Sequence, residues 1–109
     1  SVSQDTGWVN LYSDSTWGGV LYRAKAGICT IQVQVYGIKA NDNWKVPMTI
    51  PAQYLPDTSL YAPLAHRQSN NVAQLWVPNK DHEDPFLYIY TQVDANWENY
   101  ITGIVSYFY

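Results

Sequence analysis

The segment from Cys29 to Val35 alternates between apolar and polar residues without interruption. Cys29, Ile31, Val33 and Val35 share one parity, and the residues between them are Thr and Gln. Successive side chains of a β-strand point to opposite faces of the sheet, so this pattern predicts a strand with one buried and one solvated face. The lone Cys29 lies on the apolar side, which predicts a buried thiol acting as a small hydrophobe.

Short alternating or apolar runs separated by turn residues recur along the chain, and no long window keeps a helical period. The predicted fold class is therefore all-β, a compact antiparallel β-barrel or sandwich of about eight strands. Gly27 and the Asn70-Asn71 pair predict hairpin reversals, and the proline-bracketed run 50–57 predicts a crossing between sheets. The predicted strands are 8–12, 19–25, 28–36, 45–50, 59–66, 72–77, 86–91 and 100–108.

The length of 109 residues suits one domain covering 1–109. A net charge of −3 with six scattered basic residues argues against nucleic acid as a partner. No apolar run approaches the roughly 20 residues of a membrane span, so membrane insertion is not expected. Because the chain begins at Ser1 without Met and keeps its apolar pattern to Tyr109, we interpret it as the C-terminal part of a longer chain.

One predicted hairpin is apolar on both faces. In 72–77, Ala73, Leu75 and Val77 share one parity, while Trp76 lies on the other, and the strand 86–91 is also mostly apolar on both sides. A sheet facing water would not tolerate this, so something is expected to cover the outer face: a second sheet, a loop or a neighbouring subunit, of which we favour the subunit.

The composition favours a neutral, hydroxyl-rich ligand, because 10 Tyr and 5 Trp stand against only 9 acidic and 6 basic residues. Sugars bind with their C–H face on an aromatic ring and their hydroxyls on amides or carboxylates. Two segments predicted to be loops offer that chemistry, 41–44 and 94–99. The ligand-binding candidates in them are Asn41, Asp42, Trp44, Asp94 and Trp97. The alternative for Trp44 is a ring that folds back over the barrel.

Three further residues complete the predicted site. Trp17 is followed by Gly18-Gly19 and is expected in a loop, and His66 and Arg67 end a strand, where donors could meet sugar hydroxyls or a phosphate. The alternative for Arg67 is a surface ion pair with Asp57 or Asp42.

The charged run 78–85 contains three carboxylates and His82, but its spacing matches no calcium loop, so we expect a solvated loop and no metal or other cofactor. Catalytic motifs such as Gly-x-Ser-x-Gly or His-Glu-x-x-His do not occur, and we expect a protein that is not an enzyme. A glycosidase needs only two suitably spaced carboxylates, so a glycan-cleaving activity stays an alternative.

The order of several motifs resembles one family. Residues 20–27 (VLYRAKAG) lead into the alternating strand, followed by the Pro-x-x-Tyr-x-Pro run 51–56, a strand with Trp76-Val77 and the closing run 104–107 (IVSY). This resembles the C-terminal head domains of receptor-binding proteins at the tail tip of phages that infect lactic-acid and related Gram-positive bacteria. The loop 78–85 departs from the family, which commonly has a short turn there.

The resemblance implies a β-barrel head, often a homotrimer, that binds host cell-wall polysaccharide during adsorption. It also implies an extracellular location on the virion, in the tail or baseplate, and attachment to other phage tail proteins through an N-terminal part. The alternatives are a monomeric carbohydrate-binding module of a tail protein or cell-wall hydrolase, and a structural connector that docks through its apolar hairpin.

Overall fold

The computed structural model describes residues 5–13 and 18–109, which form eight strands and one short 3-10 turn at Ala52–Tyr54. Within these residues there is no α-helix, and therefore none long and apolar enough to cross a membrane. The strands are β1 (Val9–Ser13), β2 (Gly19–Lys25), β3 (Ile28–Val35), β4 (Asn43–Lys45), β5 (Leu60–His66), β6 (Val72–Val77), β7 (Tyr88–Thr91) and β8 (Ile101–Phe108).

All eight strands belong to one antiparallel sheet in the order β1-β2-β3-β8-β5-β6-β7-β4. The sheet curls into a half-barrel, and its two edge strands approach each other through side chains. The ring of Tyr12 on β1 meets that of Trp44 on β4 edge-on, with centroids 5.0 Å apart. The predicted all-β class and strand number are confirmed.

The alternating segment that predicts a half-buried strand is β3, and the prediction is confirmed. Cys29, Ile31, Val33 and Val35 are all buried, and they pair with inward-facing positions of β8. The opposite parity faces outward, with Gln32 exposed. Burial raises the pKa of the Cys29 thiol, so the buried group stays neutral.

The hairpin between β2 and β3 is the tightest reversal in the sheet. Lys25 pairs directly with Ile28, and the two residues between them, Ala26 and Gly27, have φ of 54° and 82°. Positive φ at both central positions is the signature of a type I′ turn, whose twist matches that of paired strands. The reversal predicted at Gly27 is confirmed, as is the antiparallel pairing of β5 with β6 around Asn70-Asn71.

One predicted strand is wrong. The sequence suggested 45–50, whereas β4 is Asn43–Lys45 and places Trp44 opposite Ile89 of β7. Pro47 explains the early end, because it has no N–H to donate to a ladder. The preceding Val46 makes the last bond, donating its N–H to the Leu87 carbonyl over 2.9 Å.

In the half of the sheet formed by β5, β6, β7 and β4, the residues of β6 alternate strictly between buried and solvent-accessible positions. Ala73, Leu75 and Val77 point into the core and are buried, as the parity predicts. Their neighbours Gln74 and Trp76 face outward and keep access to solvent. Because all eight strands form one sheet, no second sheet of the described chain covers this face.

Candidate functional site

The register of the four strands β5, β6, β7 and β4 sorts their outward side chains into two rows. Residues that pair across antiparallel strands point the same way and lie about 5 Å apart. The first row, which we call the aromatic row, consists of Tyr61, Trp76 and Tyr88, and it ends at Lys45. The second, which we call the amide row, consists of Gln74, Tyr90 and Asn43.

A groove of about 630 Å³ runs between and over these rows. It is lined by the three rings of the aromatic row, by the amide row, and by Asn41 and Asp84, whereas Lys45 is not among its lining residues. This volume lies within the roughly 300–1,000 Å³ that is usual for small-molecule sites. We call it the main groove.

Two of the three rings of the aromatic row, Trp76 and Tyr88, are held by contacts with each other and with the loop 78–85. Trp76 lies 6.0 Å from Tyr88 between ring centroids, and the His82 ring meets Trp76 edge-on at 4.9 Å. Tyr61 at the end of the row is 67% exposed. The result is a row of aromatic surface that needs little ordering before a ligand lies on it.

Asp84 forms one wall of the main groove as a fixed anion. The Tyr88 hydroxyl donates to its Oδ2 over 2.8 Å, and the Phe86 N–H donates to Oδ1 over 3.2 Å. These bonds hold the pKa of the Asp84 carboxyl below its ordinary value, and the same bond raises the pKa of Tyr88. At neutral pH the groove therefore presents a carboxylate and an intact phenol.

The side-chain amides of the groove differ in whether they hydrogen-bond to the protein. Asn41 adopts φ 65°, a conformation that Asn tolerates, and its Oδ1 accepts a hydrogen bond from the Tyr90 hydroxyl over 2.9 Å. In the described part of the chain, the exposed side-chain amides of Asn43 and Gln74 make no hydrogen bond to protein. Each offers a donor and an acceptor to a ligand.

Aromatic rings beside unpaired amides can bind a flat, hydroxyl-bearing ligand. The rings supply apolar area for C–H groups, and the amides replace the water bonds that hydroxyls lose on binding. Of the described residues that line the main groove, Asp84 carries the one charge. The arrangement therefore suits a neutral ligand better than an anionic one.

The structure places the predicted residues of the segment 41–44 in three different environments. Asn41 lines the main groove, while Asp42 is exposed in the adjoining turn, where its N–H donates to the Lys39 carbonyl over 3.1 Å. Trp44 lies on the inward side of β4, half-buried against the core. This is the alternative in which the ring folds back over the barrel.

At the end of β5, His66 is buried and Arg67 is exposed. His66 is only 5% exposed, and its ring nitrogens lie 2.8 Å from the Thr91 hydroxyl and 3.2 Å from the Asn99 carbonyl oxygen. Arg67 donates from Nη1 to the Glu98 carbonyl over 3.1 Å. The ion pair suggested with Asp57 is not formed, since that carboxylate lies 3.1 Å from Lys80.

No residue of the last predicted loop lines the main groove. Asp94 accepts a hydrogen bond from the Ala40 N–H over 2.8 Å, which ties the two loops together. Trp97 is 56% exposed and meets the Tyr36 ring edge-on at 5.5 Å. Trp17 lies outside the described residues. A ligand site at Asp94, Trp97 and Trp17, which the sequence suggests, is untested and stands as the alternative to the main groove.

Sequence reasoning missed most of the residues that line the main groove. The signal was present in the strand 72–77, whose outward parity contains Gln74 and Trp76, and in the tyrosines of the strand 86–91. We interpreted that outward apolar parity as a covered interface. Register brings these residues beside Tyr61 and Asn43, and register is not readable from one strand alone.

No protein-family model matches the sequence, and no curated protein matches it at a significant level. The geometry of the site is therefore the main basis for a functional proposal.

Proposed function

We propose that this domain is a non-catalytic saccharide-binding domain whose ligand lies in the main groove. The observation that carries the proposal is the side-by-side placement of the aromatic and amide rows on one outward face. Tyr61, Trp76 and Tyr88 supply stacking surface, and Asn43 and Gln74 supply unpaired amides next to it. A groove built only for apolar partners would not need the amide row.

The lack of a catalytic role is supported by the charges of the main groove. Hydrolysis of a glycosidic bond ordinarily uses two carboxyl groups on either side of the bond. Asp84 is the one carboxylate among the described residues that line the groove, and its oxygens accept bonds from Tyr88 and Phe86. A general acid needs a carboxyl group with a raised pKa, whereas the pKa of Asp84 is lowered.

The biological setting that we propose is adsorption of a phage to the cell wall of a Gram-positive host. It rests on the resemblance of the motif order to tail-tip receptor-binding heads, and a saccharide-binding face suits that task. Such a head would act as a homotrimer at the virion surface. Weak single sites then combine, because several heads engage one polysaccharide surface at high effective concentration.

A sedimentation assay tests binding directly. Purified domain is mixed with insoluble cell-wall polysaccharide from a panel of lactic-acid bacteria, and the bound fraction is measured against protein concentration. We expect saturable binding to some walls and weak binding for Trp76→Ala. The matched control is Phe108→Ala, since Phe108 is an outward aromatic on β8 that is 80% exposed and outside the main groove.

Two further readouts separate the alternatives. Light scattering distinguishes a trimer of the 12.5 kDa chain from a monomeric carbohydrate-binding module. A reducing-end assay on the same mixtures tests for cleavage, and new reducing ends would contradict a non-catalytic role. Absence of binding to every wall by folded protein would favour the structural connector.

A further inference from the structure

We infer that the site takes an uncharged linear glycan several residues long rather than a single terminal sugar. This inference rests on the proposed saccharide-binding function and specifies its ligand. It is carried by a second groove, of about 270 Å³, that adjoins the main groove on the same face. We call it the side groove.

The two grooves share three lining residues, Tyr61, Gln74 and Tyr90. They therefore form one continuous depression in which these shared residues occupy the middle. The main groove extends from them to Asn41 and Asp84, and the side groove extends to the exposed Val72 and Gln92.

The dimensions of the sheet give the length of this depression. Along β6 it runs from Val72 to Trp76, which is four residue spacings or about 13 Å. Across the sheet it reaches from β5 to β4, which is three strand spacings or about 14 Å. A pyranose ring is similar in size to one tyrosine ring. The aromatic row alone carries three rings side by side, so a single sugar would leave most of the depression empty.

The lining of the side groove indicates an uncharged backbone for the glycan. It is lined by the outward side chains of Pro63, Val72 and Gln92 and by the strand at Ala73, in addition to the shared residues, and none of these residues is charged. At the far end the charges of Asp84 and Lys45 act on each other, so this end holds no excess positive charge that would favour a carboxylate or phosphate. Gln92 adds an amide to the apolar patch of Pro63 and Val72, which repeats the chemistry of the main groove.

A series of chain lengths tests the inference. An array of neutral linear oligosaccharides of glucose, galactose, rhamnose or N-acetylglucosamine identifies a bound backbone. Calorimetry then compares that backbone from the monosaccharide to the hexasaccharide. We expect affinity to rise about tenfold or more between the monosaccharide and the tetrasaccharide, since each added residue meets new rings and amides.

A double variant in the side groove locates the gain in affinity. The double variant Val72→Ala, Gln92→Ala should reduce the ratio of tetrasaccharide to monosaccharide affinity severalfold. Gln32→Ala, at an outward position of β3 outside both grooves, is the matched control and should keep the wild-type ratio. Thermal unfolding of each variant verifies that the fold is retained.

The outcomes separate this inference from the proposed function. Equal affinity for the monosaccharide and the hexasaccharide would overturn the inference and leave saccharide binding intact. An unchanged ratio in the double variant would also overturn it, because the added length would then lie elsewhere. Failure of every oligosaccharide and every wall to bind would overturn both.

Discussion

The two halves of the sheet turn very different outward faces to solvent, although both follow the same period-two alternation. On β3 and β8 the outward Thr30 and Ser106 hydrogen-bond to each other across the strands at 3.0 Å between hydroxyl oxygens. On β6, β7 and β4 the outward amides of Gln74 and Asn43 have no such partner among the described residues. The exposed Gln32 of β3 also makes no side-chain hydrogen bond within the described chain, so the faces differ in placement: the groove-bearing face sets its unpaired amides beside a row of aromatic rings.

The apolar residues of the two faces differ in the same way. Ile104 and Phe108 on β8 are 66% and 80% exposed and are separated by Ser106. Trp76 and Tyr88 instead lie beside each other in a row, partly covered by ring contacts. Aromatic content alone thus does not make a site, because rings must be adjacent across strands and beside unpaired polar groups. The following predictions test this contrast in order of decreasing effect.

The largest effect is expected on stability, from a residue on the inward side of the half of the sheet that bears the grooves. Trp44→Ala removes a half-buried ring that packs on the core and meets Tyr12, so the free energy of unfolding should fall by about 2 to 3 kcal/mol. Urea unfolding measures it. The exposed Trp97→Ala should change stability by less than about 0.5 kcal/mol. Equal losses for both would contradict the inward placement of Trp44.

The next effect is on affinity at the centre of the aromatic row. Trp76→Ala should weaken saccharide binding by about thirtyfold, as for a central aromatic contact of about 2 kcal/mol. Calorimetry with the best oligosaccharide measures it, and Trp97→Ala should bind like the wild type. The reverse result would move the site to the loop 94–99 that the sequence suggested.

A smaller effect distinguishes the amides of the two faces. Gln74→Ala removes an unpaired amide beside the aromatic row, and binding should weaken about fivefold for the loss of roughly 1 kcal/mol of hydrogen bonding. Gln32→Ala makes the same change on the opposite half and should leave affinity unaltered. Similar losses in the two variants would remove the distinction between the faces.

The smallest effect concerns the pH dependence of stability, through an ion pair in the half of the molecule without the grooves. Hydrogen bonds from Arg23 hold the pKa of Asp5 well below its ordinary value. The stability that this pair contributes is present above the ordinary carboxyl pKa of about 4 and is lost as pH falls towards the lowered value.

Thermal unfolding between neutral and strongly acidic pH tests this sign. Asp5→Asn should show a shallower fall in unfolding temperature below the ordinary carboxyl pKa than the wild type. Because both side chains are about one third exposed, the difference should be small. Parallel curves would show that the pair contributes nothing to acid sensitivity.

Sequence alone predicted the fold class, most strand positions and the burial of Cys29, because alternation and turn residues are local signals. The turn at Gly27 is one such signal, because glycine adopts the positive φ that this reversal requires without steric cost. The predicted bounds 45–50 are wrong for β4, which is Asn43–Lys45, because Pro47 has no N–H to donate to a ladder.

The candidate site was predicted only at Asn41. Its other residues meet through the pairing of Tyr61 with Trp76, of Trp76 with Tyr88 and of Gln74 with Tyr90. The paired residues are 12 to 16 positions apart in the sequence, and no pattern within one segment specifies them. The inward turn of Trp44 likewise depends on which face of β4 meets the core.

The indole N–H signals of the five tryptophans in an NMR titration test the central claim most directly. Each signal is assigned by a Trp→Phe variant, and the domain is titrated with the best neutral oligosaccharide. The account predicts that the Trp76 signal shifts in a saturable way while those of Trp8 and Trp97 stay in place. A shift at Trp97 or Trp8 with Trp76 unmoved would contradict it.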